Sequence, residues 1–344
     1  AVMAAIQEMA PEVEFEIFTR VPKWFFLESL RSGFIYHDLL TDIGIVQSSP
    51  MHEQIPDTIE RLGRFLPFDP KIVDSLAAFL RQRNCTLIVC DVAALGILVA
   101  NQAGIPSVLI ENFTWDWIYE GYLPRYPGFE PAISFLGDIY RQVTHHIQTE
   151  PVCQLKSTAN LLTSPVSRFP RLKRRELRAR LDGSDEQKVV LITMGGIQER
   201  VAYIDQLRAV HPNVRFIIPG ASQRTTFLDN LILLPHHSEF YHPDLIFASD
   251  VVIGKAGYST IAETYHAGLP FGFTSRPGFR ESAPLSEYIQ REFYCREFNS
   301  IEFLRGDWIS HLLSLLEMPR LERNSLNGAH QIAKYLTDLL KPPN

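Results

Sequence analysis

Residues 85–110, CTLIVCDVAALGILVANQAGIPSVLI, constrain the fold more than any other stretch. Residues 85–90 are an almost unbroken apolar run, too short for an ordinary helix and ended by Asp91. Such a run predicts a strand covered on both faces. Residues 93–102 then carry a helical pattern, Gly104-Ile105-Pro106 turns the chain, and residues 107–110 form a second apolar run. Strand, helix, strand at this spacing is a β-α-β unit, which requires parallel strands and a right-handed crossover.

The same alternation recurs on both sides. Residues 13–19 read as a strand, and helices are expected at 57–65 and 70–82. A second series starts at 188–194 (KVVLITM), a strand running into Gly195-Gly196, followed by a helix at 198–210. Further strands are expected at 214–218, ending in Pro219-Gly220; at 231–234, ending in Pro235-His236-His237; at 251–253, ending in Gly254; and at 271–274. Between the two series lies a proline-containing, charged stretch that ends in the acidic turn 182–186. The organisation predicted is therefore an N-terminal Rossmann-like domain over 1–160, a linker over 161–187, a C-terminal Rossmann-like domain over 188–323 and a C-terminal helix over 324–344. Two doubly wound units facing across a cleft would bind ligands at the carboxyl ends of their strands. The opening AVMAAIQEMAPEVEFEIFT reads as a helix tail, a turn and a strand. An α/β domain normally begins with a strand, so a first strand and its loop are expected to be missing from these residues.

Charge and cysteine content narrow the function classes. With 33 Lys/Arg against 39 Asp/Glu the net charge is −6, which gives no polyanion-binding surface and predicts no nucleic-acid partner. Residues 168–180 hold seven Lys/Arg and read as a solvated helix. Cys85, Cys90, Cys153 and Cys295 form no CxxC pair. Free thiols in a reducing, cytoplasmic setting are expected, and no zinc site. No apolar run reaches the roughly 18–20 residues of a membrane-spanning helix, and no signal-peptide pattern opens the chain. His145-His146 and His236-His237 are adjacent pairs whose side chains diverge, so no metal site is expected.

The chemistry gathers at strand ends. In residues 250–263, DVVIGKAGYSTIAE, a buried strand runs into Gly254-Lys255-Ala256-Gly257, and after Tyr258 a helix opens at Ser259 or Thr260. Glycines admit a ligand close to backbone N–H groups, and unpaired N–H groups at a helix start suit phosphate. Glu263, one turn in, could accept both hydroxyls of a ribose. Thr260 and Glu263 also fit a capping box, which needs no ligand. Gly195 and Gly196 make a second such turn. Arg276 or Arg280 could pair with a diphosphate through the planar guanidinium, and Glu281 could take sugar hydroxyls. In the first series, residues 111–119 (ENFTWDWIY) combine rings with Asn112 and Asp116. Rings stack on sugar C–H faces while amides and carboxylates bind hydroxyls, so Asn112 and Trp115 are candidate acceptor contacts. Trp117 and Tyr119 equally suit core packing. Asp91 and Asp116 are the candidate catalytic carboxylates.

These residues resemble a known family. The stretch 250–281 is similar to the second domain of GT-B glycosyltransferases near the MurG-like group. It more closely resembles the glycosyltransferase-like domain of bacterial proteins and plant arabinokinases. That match also rests on TDIGIVQ at 41–47, NFTWDWIY at 112–119 and RELR at 175–178. The resemblance implies a donor held by the second domain, with phosphate contacts at Gly196, Ser259 and Thr260, Glu263 on the ribose, and Arg280 or Glu281 beside the diphosphate or sugar. The base would lie against Gly220 and His236, and the acceptor near Asp91, Asn112 and Asp116. Family members open with a strand and a Gly/His-rich loop whose histidine can serve as base; that loop is absent here. No GHMP-kinase domain follows, so arabinokinase activity is not expected. The expected function is metal-independent transfer from a nucleotide sugar, a UDP-sugar, to an acceptor, with the donor as substrate and no cofactor. A UDP-sugar epimerase of the same fold and a non-catalytic nucleotide-sugar-binding module are the alternatives.

Overall fold

A computed structural model describes residues 1–31, 33–49, 51–181, 187–194, 203–210 and 213–341. The chain divides into two compact units. The first holds residues 1–48, 53–166 and 326–344, and the second holds 49–52 and 167–325.

The first unit opens with α1 (Val2–Met9), β1 (Glu16–Thr19), α2 (Lys23–Leu27) and β2 (Ile35–Asp38), and β1 and β2 pair in parallel. A short ribbon, β3 (Gln47–Ser49) with β4 (His52–Glu53), precedes α3 (Ile55–Phe65) and α4 (Pro70–Gln82). Then come β5 (Ile88–Asp91), α5 (Ala94–Ala103), β6 (Ser107–Glu111), α6 (Trp115–Glu120), α7 (Glu130–Tyr140), β7 (His145–Thr149) and β8 (Leu161–Thr163). Strands β5 to β8 make a parallel sheet in chain order. Helix α5 ends at Gly104 with φ +70°, the left-handed turn that glycine adopts without a Cβ penalty. The adjacent histidines of β7 diverge as the strand period requires. His146 meets Glu111 and His145 meets Tyr335.

The second unit follows with α8 (Arg174–Arg180), β9 (Lys188–Thr193), α9 (Ile204–Val210), β10 (Val214–Pro219), β11 (Thr226–Leu228), β12 (Leu231–Leu234) and α10 (His242–Ala248). It continues through β13 (Val251–Lys255), α11 (Tyr258–Ala267), β14 (Phe271–Thr274), α12 (Ser282–Glu292), β15 (Cys295–Phe298), α13 (Ser300–Arg305) and α14 (Leu312–Leu316). The sheet order is β11-β12-β10-β9-β13-β14-β15. β11 is an antiparallel edge strand; the other pairings are parallel. Counting the parallel strands alone, the order is third, second, first, fourth, fifth, sixth, that of a doubly wound dinucleotide-binding sheet. Successive residues of one strand fall in different cores. Val189 and Leu191 pack with Ile217 and Phe273 on one face; Val190 and Ile192 pack with Phe216 and Ile253 on the other. Burial on both faces explains why these strands read as unbroken apolar runs.

The last helix, α15 (Gly328–Leu340), returns to the first unit and packs on α1. Two expectations change. Residues 161–187 are not a simple linker, because Leu161–Thr163 is the last strand of the first sheet and Arg174–Arg180 is a helix of the second unit. The basic run is largely solvated, with Arg171, Lys173, Arg175 and Arg180 exposed, but one member is not. Arg178 is 1% exposed, and its guanidinium donates to the Ala248 carbonyl, the Gln187 carbonyl and Asp250.

Candidate functional site

In the second unit the strand order reverses between the parallel neighbours β9 and β13, and in such folds a ligand binds outside the carboxyl ends at that point. The exit of β13 lies there. Val251 to Gly254 are buried, and Lys255, Ala256 and Gly257 lead to α11. Gly257 is the N-cap, with an extended φ of −137°, and no side chain caps the helix. By helix geometry the N–H groups of Ser259 and Thr260, in the first turn, make no intrahelical hydrogen bond. Ser259 is exposed and Thr260 is buried. The two glycines differ. A Cβ at Gly254 would come 2.2 Å from the Thr193 carbonyl oxygen, so this glycine serves the close approach of β13 to β9. A Cβ at Gly257 would meet nothing nearer than Lys255 Cε at 3.8 Å, so this position stands open.

The exits of the neighbouring strands border the same end. Gly220 follows β10 with φ +78°, and His236 follows β12 and is exposed. Gly195 and Gly196, at the exit of β9, lie outside the described residues. Arg276, after β14, is 7% exposed, and its guanidinium stacks 3.4 Å above the Phe279 ring. It therefore lies against its own turn instead of reaching outward for a diphosphate. Arg280 and Glu281 are half-buried at the start of α12.

Glu263 departs most from expectation. The capping box does not form, because Gly257 is the N-cap and Thr260 already lies inside the helix. Oε1 accepts from Arg168 Nε at 2.9 Å, and Oε2 faces His242 Nδ1 at 3.1 Å. The side chain is 2% exposed. Burial pushes its carboxyl up, but the His242 hydrogen bond and the charge of Arg168 outweigh burial and hold it below its ordinary value. The carboxylate is thus engaged within the second unit by Arg168 and His242.

In the first unit, the candidate residues separate. Asp91 ends β5, and the turn after it is fixed on both sides: the Val92 amide donates to Ile110 and its carbonyl accepts from the Tyr140 hydroxyl at 2.6 Å. Val92 holds φ +54°, a strained value for a β-branched residue. Asp91 keeps solvent access yet sits deep among protein atoms. Desolvation by the surrounding protein first, and the charge of Asp42 second, push its carboxyl above its ordinary value. Asp42 is itself raised by burial, against the hydrogen bond it accepts from Trp115 Nε1 at 3.3 Å. Trp115 is thus committed to Asp42, and its ring stacks on Tyr119 at 5.8 Å. Tyr119 donates to the Gly44 carbonyl and stacks on Phe129, so the aromatic stretch pins loop 41–46 and fills the core. Asp116 faces α7: its Oδ2 would lie 3.3 Å from a Cβ on Gly137. One residue after Trp115 on a helix is turned about 100°, which moves Asp116 off the Asp42 side. Asn112 brackets two loops, its carbonyl accepting from the Cys153 amide at 2.8 Å.

No protein-family model matches the chain. Solved glycosyltransferase structures superimpose on nearly all of it. MurG of Acinetobacter baumannii is 14% identical with a TM-score of 0.54, covering 98% of this chain and 94% of that one. A UDP-glucose:anthocyanidin 3-O-glucosyltransferase in complex with UDP is 14% identical with a TM-score of 0.59, covering 99% and 91%. The chain has the GT-B glycosyltransferase fold. Among curated proteins, L-arabinokinase of Arabidopsis thaliana is 25% identical over 334 residues, 94% of this chain. The chain spans 31% of the length of that relative. Among the described residues of this GT-B chain, no helix is long and apolar enough to cross a membrane, and all four cysteines are free.

Three residues of these sites were not singled out in the sequence. Asp42 lies in the 41–47 block but carries no motif. Arg168 is hidden in the basic run, and His242 has no partner nearer in sequence than Glu263.

Proposed function

We propose that the chain is a glycosyltransferase that moves a sugar from a nucleoside diphosphate donor, a UDP-sugar, to a hydroxyl acceptor without a metal ion or cofactor. The observation that carries this reading is the uncapped start of α11 beside the open Gly257, at the reversal point of the second sheet. N–H groups of Ser259 and Thr260 and the Ser259 hydroxyl would take the diphosphate, with Lys255 and Arg280 supplying positive charge. The base would rest near Gly220 and His236. In the reaction the acceptor oxygen bonds to the anomeric carbon, the bond from that carbon to the diphosphate oxygen breaks, and the acceptor proton passes to a general base. Donors already aimed at the leaving diphosphate stabilise the charge that develops on it.

The first unit would hold the acceptor near Asn112. Asp91 is the carboxylate offered as base, supported by its fixed turn and raised proton affinity. A base of raised pKa is better matched to neutral operation than an ordinary aspartate. Isothermal titration with UDP and a panel of UDP-sugars tests the reading. Saturable binding in the range of roughly 1 µM–1 mM is expected. No heat with UDP or any UDP-sugar would overturn it.

A further inference from the structure

The amino end of β13 carries an arginine cluster whose charge the fold leaves unbalanced. Three guanidinium groups converge on residues 247–250, where α10 ends and β13 is about to begin. Arg320 Nη2 donates to the Ser249 carbonyl at 2.8 Å and to the Phe247 carbonyl at 3.3 Å. Arg178 donates to the Ala248 carbonyl and to Asp250 Oδ2, and Arg174 donates to Asp250 Oδ1. The last carbonyls of a helix lack intrahelical partners and favour cations, so part of the cluster serves to close α10. Those carbonyls satisfy N–H groups but carry no net charge. One carboxylate therefore answers three guanidiniums.

The nearby acids are engaged elsewhere. Glu176 pairs with Arg180, and Asp244 accepts from the Arg171 and Leu172 amides. Glu317 and Glu322 flank Arg320 in sequence, yet among the described residues Arg320 meets carbonyl oxygens and no carboxylate. The surplus registers on Arg320 itself. Desolvation by the surrounding protein first, the charge of Arg174 next and that of Arg178 push its guanidinium down to about 10, against the pull of Asp250. It stays protonated at neutral pH, so the mutual repulsion persists. The chain as a whole has a net charge of −6, which makes this surplus a local feature.

Exposure separates the three. Arg178 is sealed, its side chain 2% exposed, whereas that of Arg174 is 37% exposed and Arg320 is open to solvent. The two accessible guanidiniums are anchored on adjacent residues, Asp250 and Ser249, whose Cα atoms stand about 3.8 Å apart. Planar forks held side by side suit a tetrahedral oxyanion, which can accept from both at once.

We propose that Arg174 and Arg320 form a binding site for inorganic phosphate at the amino end of β13. The site is separate from the donor position and does not rest on it. β13 is five residues long, about 16 Å, and the donor position lies beyond its other end. A bound phosphate would relieve the repulsion among the guanidiniums and tie α8 to the segment after α14.

Isothermal titration of inorganic phosphate into the full chain tests this, with ionic strength held constant by sodium chloride so that general screening does not vary. Saturable binding with a Kd of about 1 mM is expected for two charge-assisted contacts at an open site. Arg320→Gln removes the charge but keeps an amide able to donate to the carbonyls of α10. It should weaken phosphate binding at least about tenfold, the worth of one hydrogen bond to a charged group. Arg174→Gln should weaken it similarly, and serves if the first variant does not fold. No saturable binding at matched ionic strength would overturn the proposal. Binding kept in full by both variants would place the ion elsewhere and overturn it equally.

Discussion

Asp250 gathers two guanidinium groups and a backbone amide on one carboxylate. Oδ1 accepts from Arg174 and Oδ2 from Arg178, each at 2.6 Å, and Oδ2 also accepts from the Val189 amide at 2.8 Å. This ties α8 to the starts of β9 and β13. Burial pushes the carboxyl up, but the Val189 amide and the two arginines outweigh it and hold it below its ordinary value of 3.8. Asp250→Ala would leave the Arg178 guanidinium, 2% exposed, without its counter-charge. A loss of about 3–5 kcal/mol in denaturant unfolding is expected, because removing one partner of a buried pair strands the other. Arg178→Met, which also relieves the buried cation, should cost less. The pH dependence follows from the direction of the shift. A lowered folded pKa gives stability that is fully present above the unfolded value and is lost as the pH falls through the folded one. Wild-type protein should therefore lose this contribution only below about pH 4, whereas the acid limb of Asp250→Ala should be flatter.

At the scale of elements, β13 and α11 show two glycines under different demands. Gly254→Ala puts a methyl 2.2 Å from the Thr193 carbonyl oxygen, so the two central strands must part. Overpacking of this kind is expected to destabilise by about 1–3 kcal/mol or more. Gly257→Ala has room and an extended φ that alanine adopts, so its melting temperature should stay within a degree or two of wild type. UDP affinity should nevertheless fall in Gly257→Ala, because the methyl stands where the donor backbone approach is proposed. Unchanged affinity in that variant would remove Gly257 from the site. The pair also shows how much was legible. Strand and helix positions around Gly254 could be read from the sequence because the apolar run and the glycine stop are local signals. The partner of Glu263 could not. The carboxylate had a local alternative in Thr260, and only the fold brings Arg168, 95 residues away, and His242, 21 residues away, within reach. The same holds for Asp42, held by Trp115 across 73 residues, and for Asp116, whose helical phase turns it from the strand end. Long-range pairs of this kind leave no periodicity behind.

Across the whole molecule, the chain completes its first unit last. Residues 167–325 build the second unit, and only then does α15 return to pack on α1 and against the segment after β8. Gly328 sits at that return. Its amide donates to the Pro165 carbonyl, and a Cβ there would come 2.0 Å from the Ser164 carbonyl oxygen. The helix start is fixed beside it, with Asn327 accepting from the Ala329 amide, and Gln331 accepts from the Ser164 amide. Gly328→Ala must therefore push α15 from the segment after β8. The expected loss is about 1–3 kcal/mol, and it should fall on the first unit even though residue 328 follows the whole second unit in sequence. Native-state hydrogen exchange distinguishes the outcomes, since opening free energies are local to cooperative units. In Gly328→Ala, amides of α1, β7 and β8 should lose protection while those of β9, β10 and β13 keep it. Equal loss in both sets would mean that α15 stabilises the chain as one cooperative unit, and loss confined to β9–β13 would place its contribution in the second unit.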